Sequence, residues 1–197
     1  FARLEKIELP TGYRFLIGGQ QEDQNESFNG MMKTLIIALL GIFAVLVLQF
    51  RSFLQPLIVF IAIPFAITGA ILALLITGYT FSFTAFVGLT SLIGIVVNNS
   101  IILVDYANRR IAEGQSVTDA ILLAARTRFR PIVLTTLTTI GGLLPLTLSG
   151  STMWAPMGWA IIGGLIVSTF LTLLLVPVLY KVFTPALSVQ VELLKPE

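Results

Sequence analysis

Charged positions along this chain are gathered into a few short clusters, and what lies between the clusters is long and apolar. No Asp, Glu, Lys or Arg occurs from Ser52 through Val104 or from Pro131 through Tyr180. A hydrocarbon core about 30 Å thick is crossed by about 20 helical residues rising about 1.5 Å each, so each stretch is long enough to cross twice. Gly78 and Tyr79 divide the first stretch, and Ser149, Gly150 and Ser151 divide the second. With the earlier run from Met31 to Phe50, the pattern predicts five spans, near 31–50, 54–77, 81–107, 131–148 and 155–180.

The remaining segments are predicted around these spans. Residues 1–30 contain Glu5, Glu8, Glu22 and Asp23 and lack the apolar core of a targeting peptide, so they are expected to be extramembrane. Within them Leu9-Pro10-Thr11-Gly12 is expected to form a turn, and Tyr13 to Ile17 alternates weakly as a short strand would. Ser116-Val117-Thr118-Asp119 has the form of a capping box and predicts a helix over 116–130, ending before Pro131 and lying along the membrane surface. Arg51, Arg109, Arg110, Arg126, Arg128, Arg130 and Lys181 all fall at one end of the spans, and the two opposite loops hold no basic residue. That end is expected to be cytoplasmic, with 184–197 as a cytoplasmic tail and the N-terminal segment on the far side. The predicted fold is an all-α membrane protein: five transmembrane helices plus a cytoplasmic surface helix, with a short extramembrane β-strand stub at the N-terminus. Pro64, Pro145 and Pro177 are expected to kink their spans, and the small residues Gly158, Ala160, Gly163, Gly164 and Ser168 to let the fifth helix pack closely.

Composition narrows the function. The chain of 197 residues is 56% hydrophobic and 11% charged, against about 25% charged in soluble proteins, so it lacks the polar surface of a water-soluble domain. It has no Cys and no His, which excludes disulfides, thiolate or imidazole metal sites and histidine acid–base chemistry. A net charge of +2 is too small to indicate a nucleic-acid partner. No nucleophile and base pair is visible, so no enzyme activity and no cofactor are expected.

Candidate chemistry lies in the polar groups at membrane depth. Asn98 and Asn99 fall within a few residues of the midpoint of the third span, where an unpaired amide costs roughly 2–7 kcal/mol. Asp105 stands seven residues after Asn98, about 20° short of two full turns, and shares its face. Spacing leaves two readings open: interhelical clamps, with Asp105 pairing Arg109 at the interface, or a polar pathway towards the cytoplasm. Thr135, Thr138 and Thr139 share one face of the fourth span with Thr136 beside them, again as packing residues or as a path. Proton coupling needs a group that changes charge inside the field, worth about 2.3 kcal/mol per charge per 100 mV, and none lies deep in these spans. If the protein is proton-driven, the titrating residue belongs elsewhere.

The segments Gly94-Ile95-Val96-Val97-Asn98-Asn99-Ser100-Ile101-Ile102-Leu103-Val104-Asp105-Tyr106, Arg128-Phe129-Arg130-Pro131-Ile132-Val133-Leu134-Thr135-Thr136 and Gly141-Gly142-Leu143-Leu144-Pro145-Leu146 together resemble resistance-nodulation-division efflux transporters of the hydrophobe/amphiphile class. Leu48-Gln49-Phe50-Arg51-Ser52-Phe53 and Leu9-Pro10-Thr11-Gly12-Tyr13 extend the likeness over most of residues 5–183. The resemblance is to the C-terminal half of that family's transmembrane domain, preceded by the end of a periplasmic region. It implies proton-driven export of amphiphilic or toxic compounds by a homotrimer in the bacterial inner membrane, working with the remainder of the polypeptide, a periplasmic adaptor protein and an outer-membrane channel. It implies further that Asn99 matches a family asparagine, Thr135 a relay threonine and Arg128 a basic residue at the cytoplasmic end of the relay. Asn98 falls where many members have a lysine, and an amide can hydrogen-bond a carboxylate without neutralising it. The expected relay residues are therefore Asn98, Asn99, Thr135, Asp105 and Arg128, serving acids outside this chain. A non-transport membrane assembly module, metal export and protein translocation stand as alternatives.

Overall fold

The structure, a computed structural model, describes the backbone of residues 20–192 and the side chains of residues 26–183. The predicted strand at Tyr13 to Ile17 lies outside the described residues. Two compact units divide the chain, Phe1–Ile37 and Ala38–Glu197. Helix α1 (Gln20–Phe50) begins in the first, so residues 20–30 continue the helix of the first span instead of standing apart from it.

The second unit carries α2 (Leu54–Phe60), α3 (Ala62–Thr77), α4 (Phe83–Ala112), α5 (Val117–Leu148) and α6 (Ala155–Glu192). All described regular structure is helical. Five stretches are long and apolar enough to cross a membrane: Glu26–Phe50, Leu54–Thr77, Phe83–Ala112, Val117–Leu148 and Ala155–Phe183. The predicted five spans are therefore present, with helices that outrun their apolar segments. Backbone hydrogen bonding continues through the polar ends of α4 and α6, past the expected limits at 107 and 180.

Proline acts differently in different helices. Pro64 has no N–H to offer the Phe60 carbonyl, and the second span is interrupted at Ile61 between α2 and α3. Pro131, by contrast, does not end a helix. The predicted surface helix over 116–130 is not a separate element but the first half of α5, capped by the Ser116 hydroxyl, which accepts from the Asp119 amide at 3.2 Å. Ile121, Ile132 and Thr136 are buried on both sides of the proline. At about 100° per residue they lie within about 60° of one another, so one packed stripe passes through Pro131 in register. Membrane helices tolerate the missing bond where neighbours hold the chain.

Helix α6 is the hub, packing against α2, α3, α4 and α5. Its small residues allow this, as the sequence predicted. A Cβ on Gly69 of α3 would stand 2.8 Å from the Gly163 carbonyl oxygen, and one on Gly163 would stand 2.8 Å from that of Gly69. The two backbones touch, which only glycine permits. Gly164 likewise meets the Ala66 carbonyl and the Leu92 side chain. At the far end of α3, Gly78 turns the chain with φ 75°, the turn its position between two spans required.

Candidate polar face of the membrane helices

Helix α4 is buried along one side, where Leu92, Val96, Leu103, Val104 and Ala107 are among the buried residues. One strip remains open. Ser91, Gly94, Asn98 and Arg109 are exposed, and Asp105 is half-buried. At about 100° per residue these five positions fall within about 60° of one another, so they form a single stripe of small and polar groups.

Helix α5 is divided into three faces. Ile132, Thr136 and Thr147 are buried. Leu134, Leu137, Leu144 and Leu148 are exposed and apolar, a surface suited to lipid. Between these faces Thr127, Pro131, Thr135, Thr138, Gly142 and Pro145 are exposed on a third, small and polar side about 90° wide. A hydroxyl or amide gains nothing from acyl chains, so two exposed polar strips on adjacent packed helices mark surfaces intended for something other than lipid.

The five predicted residues occupy these strips unequally. Asn98 is exposed, whereas Asn99 is buried, 8% exposed. Neither amide side chain hydrogen-bonds another described residue, so they clamp no two helices among the described residues. Thr135 donates to the Pro131 carbonyl at 2.8 Å, satisfying its hydroxyl locally. Asp105 pairs with Arg109 at 2.9 Å one turn on, the interfacial pair that spacing offered. Arg128 lies over the Tyr106 ring, 5.3 Å from its centroid, and its Nε is buried with no hydrogen-bond partner among the described residues. No hydrogen bond or ion pair joins any two of the five.

Threonine pairing falls on the neighbour instead. Thr136 donates to the Ile132 carbonyl at 2.9 Å and shares a hydroxyl contact of 2.9 Å with Thr169 of α6. Sequence reasoning also missed a cluster at the basic end of the bundle. Gln55 Nε2 donates to Asn108 Oδ1 at 3.0 Å, Asn108 Nδ2 donates to Gln55 Oε1 at 2.8 Å, and Tyr180 Oη donates to Asn108 Oδ1 at 2.5 Å. A signal existed: Gln55 opens an otherwise apolar span, and Asn108 stands three residues beyond Asp105. Nearby, Arg110 donates through Nη2 to the Tyr106 hydroxyl at 2.9 Å and through Nη1 to Glu113 at 2.8 Å.

The sequence model of the AcrB/AcrD/AcrF family matches residues 2–184. This chain belongs to the AcrB/AcrD/AcrF family. Its members are resistance-nodulation-division transporters, as the motifs implied. Among relatives, the swarming motility protein SwrC of Bacillus subtilis is 39% identical over 184 residues, which cover 91% of this chain and 18% of SwrC. The cobalt-zinc-cadmium resistance protein CzcA of Cupriavidus metallidurans is 36% identical over 179 residues, 89% of this chain and 17% of CzcA. The multidrug resistance protein MdtC of Proteus mirabilis is 36% identical over 184 residues, 91% of this chain and 18% of MdtC. The crystal structure of a heavy metal efflux pump superposes with a TM-score of 0.78 at 31% identity, covering 93% of this chain and 19% of the pump. The chain thus spans less than a fifth of the length of these family members.

Proposed function

We propose that this chain is the C-terminal membrane portion of a proton-driven efflux transporter exporting amphiphilic or toxic compounds. In this reading the open strips of α4 and α5 receive helices from the rest of the polypeptide, which bring the proton-carrying acids. The observation that supports it is the exposure of Asn98 at mid-span, on a strip that also holds Ser91, Gly94 and Asp105. An amide placed there serves a carboxylate partner as hydrogen-bond donor, orienting it, while charge balance comes from another residue or from protonation alone. Thr135 and Arg128 extend the path along α5 towards the cytoplasmic end. The assembly is a homotrimer of the bacterial inner membrane acting with a periplasmic adaptor protein and an outer-membrane channel.

Metal export is a second reading, favoured by the likeness to CzcA and to a heavy metal efflux pump. Efflux of an amphiphilic dye compared with efflux of a divalent cation, from cells carrying the intact transporter, separates the two. The relay itself is tested by Asn98→Ala and Asn99→Ala in the intact transporter. The expected result is a loss of proton-coupled efflux with trimers intact, and wild-type efflux in both variants would remove the relay. Loss of trimers in an Asn98/Thr135 double variant would instead favour an assembly module.

A further inference from the structure

The amide cluster at the basic end of the bundle does more than fill space. Gln55 and Tyr180 are 7% and 1% exposed, and they come from two different helices, α2 and α6. Both donate to the same atom, Asn108 Oδ1, at 3.0 and 2.5 Å, while Asn108 Nδ2 returns a bond to Gln55 at 2.8 Å. Both lone pairs of that oxygen are therefore engaged. A single hydrogen bond between two helices leaves one free to turn about its axis. Two bonds arriving from different helices on one acceptor do not, because rotation of α4 in either sense lengthens one of them.

Rotation of α4 matters because its open strip is narrow. Asn108 lies ten residues after Asn98, about 80° around the helix from it, so whatever fixes the azimuth of Asn108 fixes the direction Asn98 faces. A turn of about 40° would carry the half-buried Ile101 into the strip in one sense, or the half-buried Ile102 in the other, and swing Asn98 towards a flank of the strip.

We propose that Asn108, held by Gln55 of α2 and Tyr180 of α6, is a positioning residue that sets the rotation of α4 and with it the outward aim of the Ser91, Asn98 and Asp105 strip. The link to transport rests on the relay reading above; the lock on α4 does not. Neither a carboxylate nor an apolar residue replaces the amide at 108. A carboxylate would accept from Tyr180 but turn a second acceptor towards Gln55 Oε1, and Leu would remove the acceptor that Gln55 and Tyr180 share.

The test uses the intact transporter with spin labels at Ala112→Cys and Lys181→Cys, two exposed positions flanking the cluster on α4 and α6. Its distance distribution is compared in the parent, in Asn108→Leu, in Tyr180→Phe, and in the exchange variant Gln55→Asn with Asn108→Gln, which keeps an amide on each helix. The expected result is a narrow distribution in the parent and the exchange variant, and one broadened about twofold in Asn108→Leu and less in Tyr180→Phe. Proton-coupled efflux should fall about tenfold or more in Asn108→Leu, since misplacing a working group by about 1 Å can cost about 100-fold, and recover in the exchange variant. Should Asn108→Leu fail to fold, Tyr180→Phe, which deletes one hydroxyl, carries the comparison. A parent-like distribution in both single variants would overturn the lock. Broadening with unchanged efflux would overturn its role in positioning. A parent that shows no proton-coupled efflux would defeat the relay reading alone, because the spin-label comparison still decides the lock.

Discussion

Thr135 and Thr136 are neighbours in the chain with opposite surroundings. Thr136 is buried and reaches Thr169 across the α5–α6 contact, whereas Thr135 is exposed and its hydroxyl bonds back to the Pro131 carbonyl. Interhelical hydrogen bonds in membranes average about 0.6 kcal/mol, with a maximum near 1.7 kcal/mol. A double-mutant cycle of Thr136→Val and Thr169→Val, read by unfolding in detergent, should give a coupling in that range. Thr135→Val should change stability by less than about 0.5 kcal/mol, as exposed substitutions do. Under the proposed relay the same variant should lower proton-coupled efflux by about tenfold. Loss of stability without loss of efflux would make Thr135 a packing residue. Which of the four threonines faced a neighbour was not legible from the sequence, because several share nearly one azimuth and only the position of α6 tells them apart. Asp105 with Arg109 was legible, since a pair four residues apart needs no knowledge of other helices.

At the level of elements, the helices were legible wherever apolar length or a glycine turn marked them, and illegible where proline was the only mark. Pro64 and Pro131 give the same local instruction, the loss of one N–H. One interrupts its span and the other does not, although buried residues flank both, Val59 and Ala66 about Pro64 as Ile121 and Ile132 about Pro131. The small-residue run of α6 was legible as a packing face, although its partners were not. Gly163→Val should push α3 and α6 apart, because its side chain would meet both the Gly69 carbonyl and the Ala73 side chain. Overpacking of this kind costs about 1–3 kcal/mol. A lowered midpoint in thermal unfolding of the detergent-solubilised protein checks it, and an unchanged midpoint would show that the two helices are free to separate.

For the whole molecule, the five-span architecture and the family were legible from apolar length and three motifs, whereas the open strips became visible only when the helices were packed. Asn98 and Asn99 are adjacent amides that no pattern distinguishes, yet one faces out and the other in. With Asp105, the one acid on its polar strip, paired to Arg109 near the basic end of the bundle, the chain reconstituted by itself in liposomes should show no proton-coupled flux under an imposed pH gradient. Robust flux would place the proton carrier inside it. Helix α5 extends this argument across the membrane boundary. Its 32 residues at about 1.5 Å each make a rod of about 48 Å, roughly 18 Å longer than the hydrocarbon slab. Thr135 and Ser116, 19 residues apart, therefore sit on one helix that is continuous through Pro131, and under the proposed relay a shift at Thr135 would be carried about 28 Å along it to Ser116.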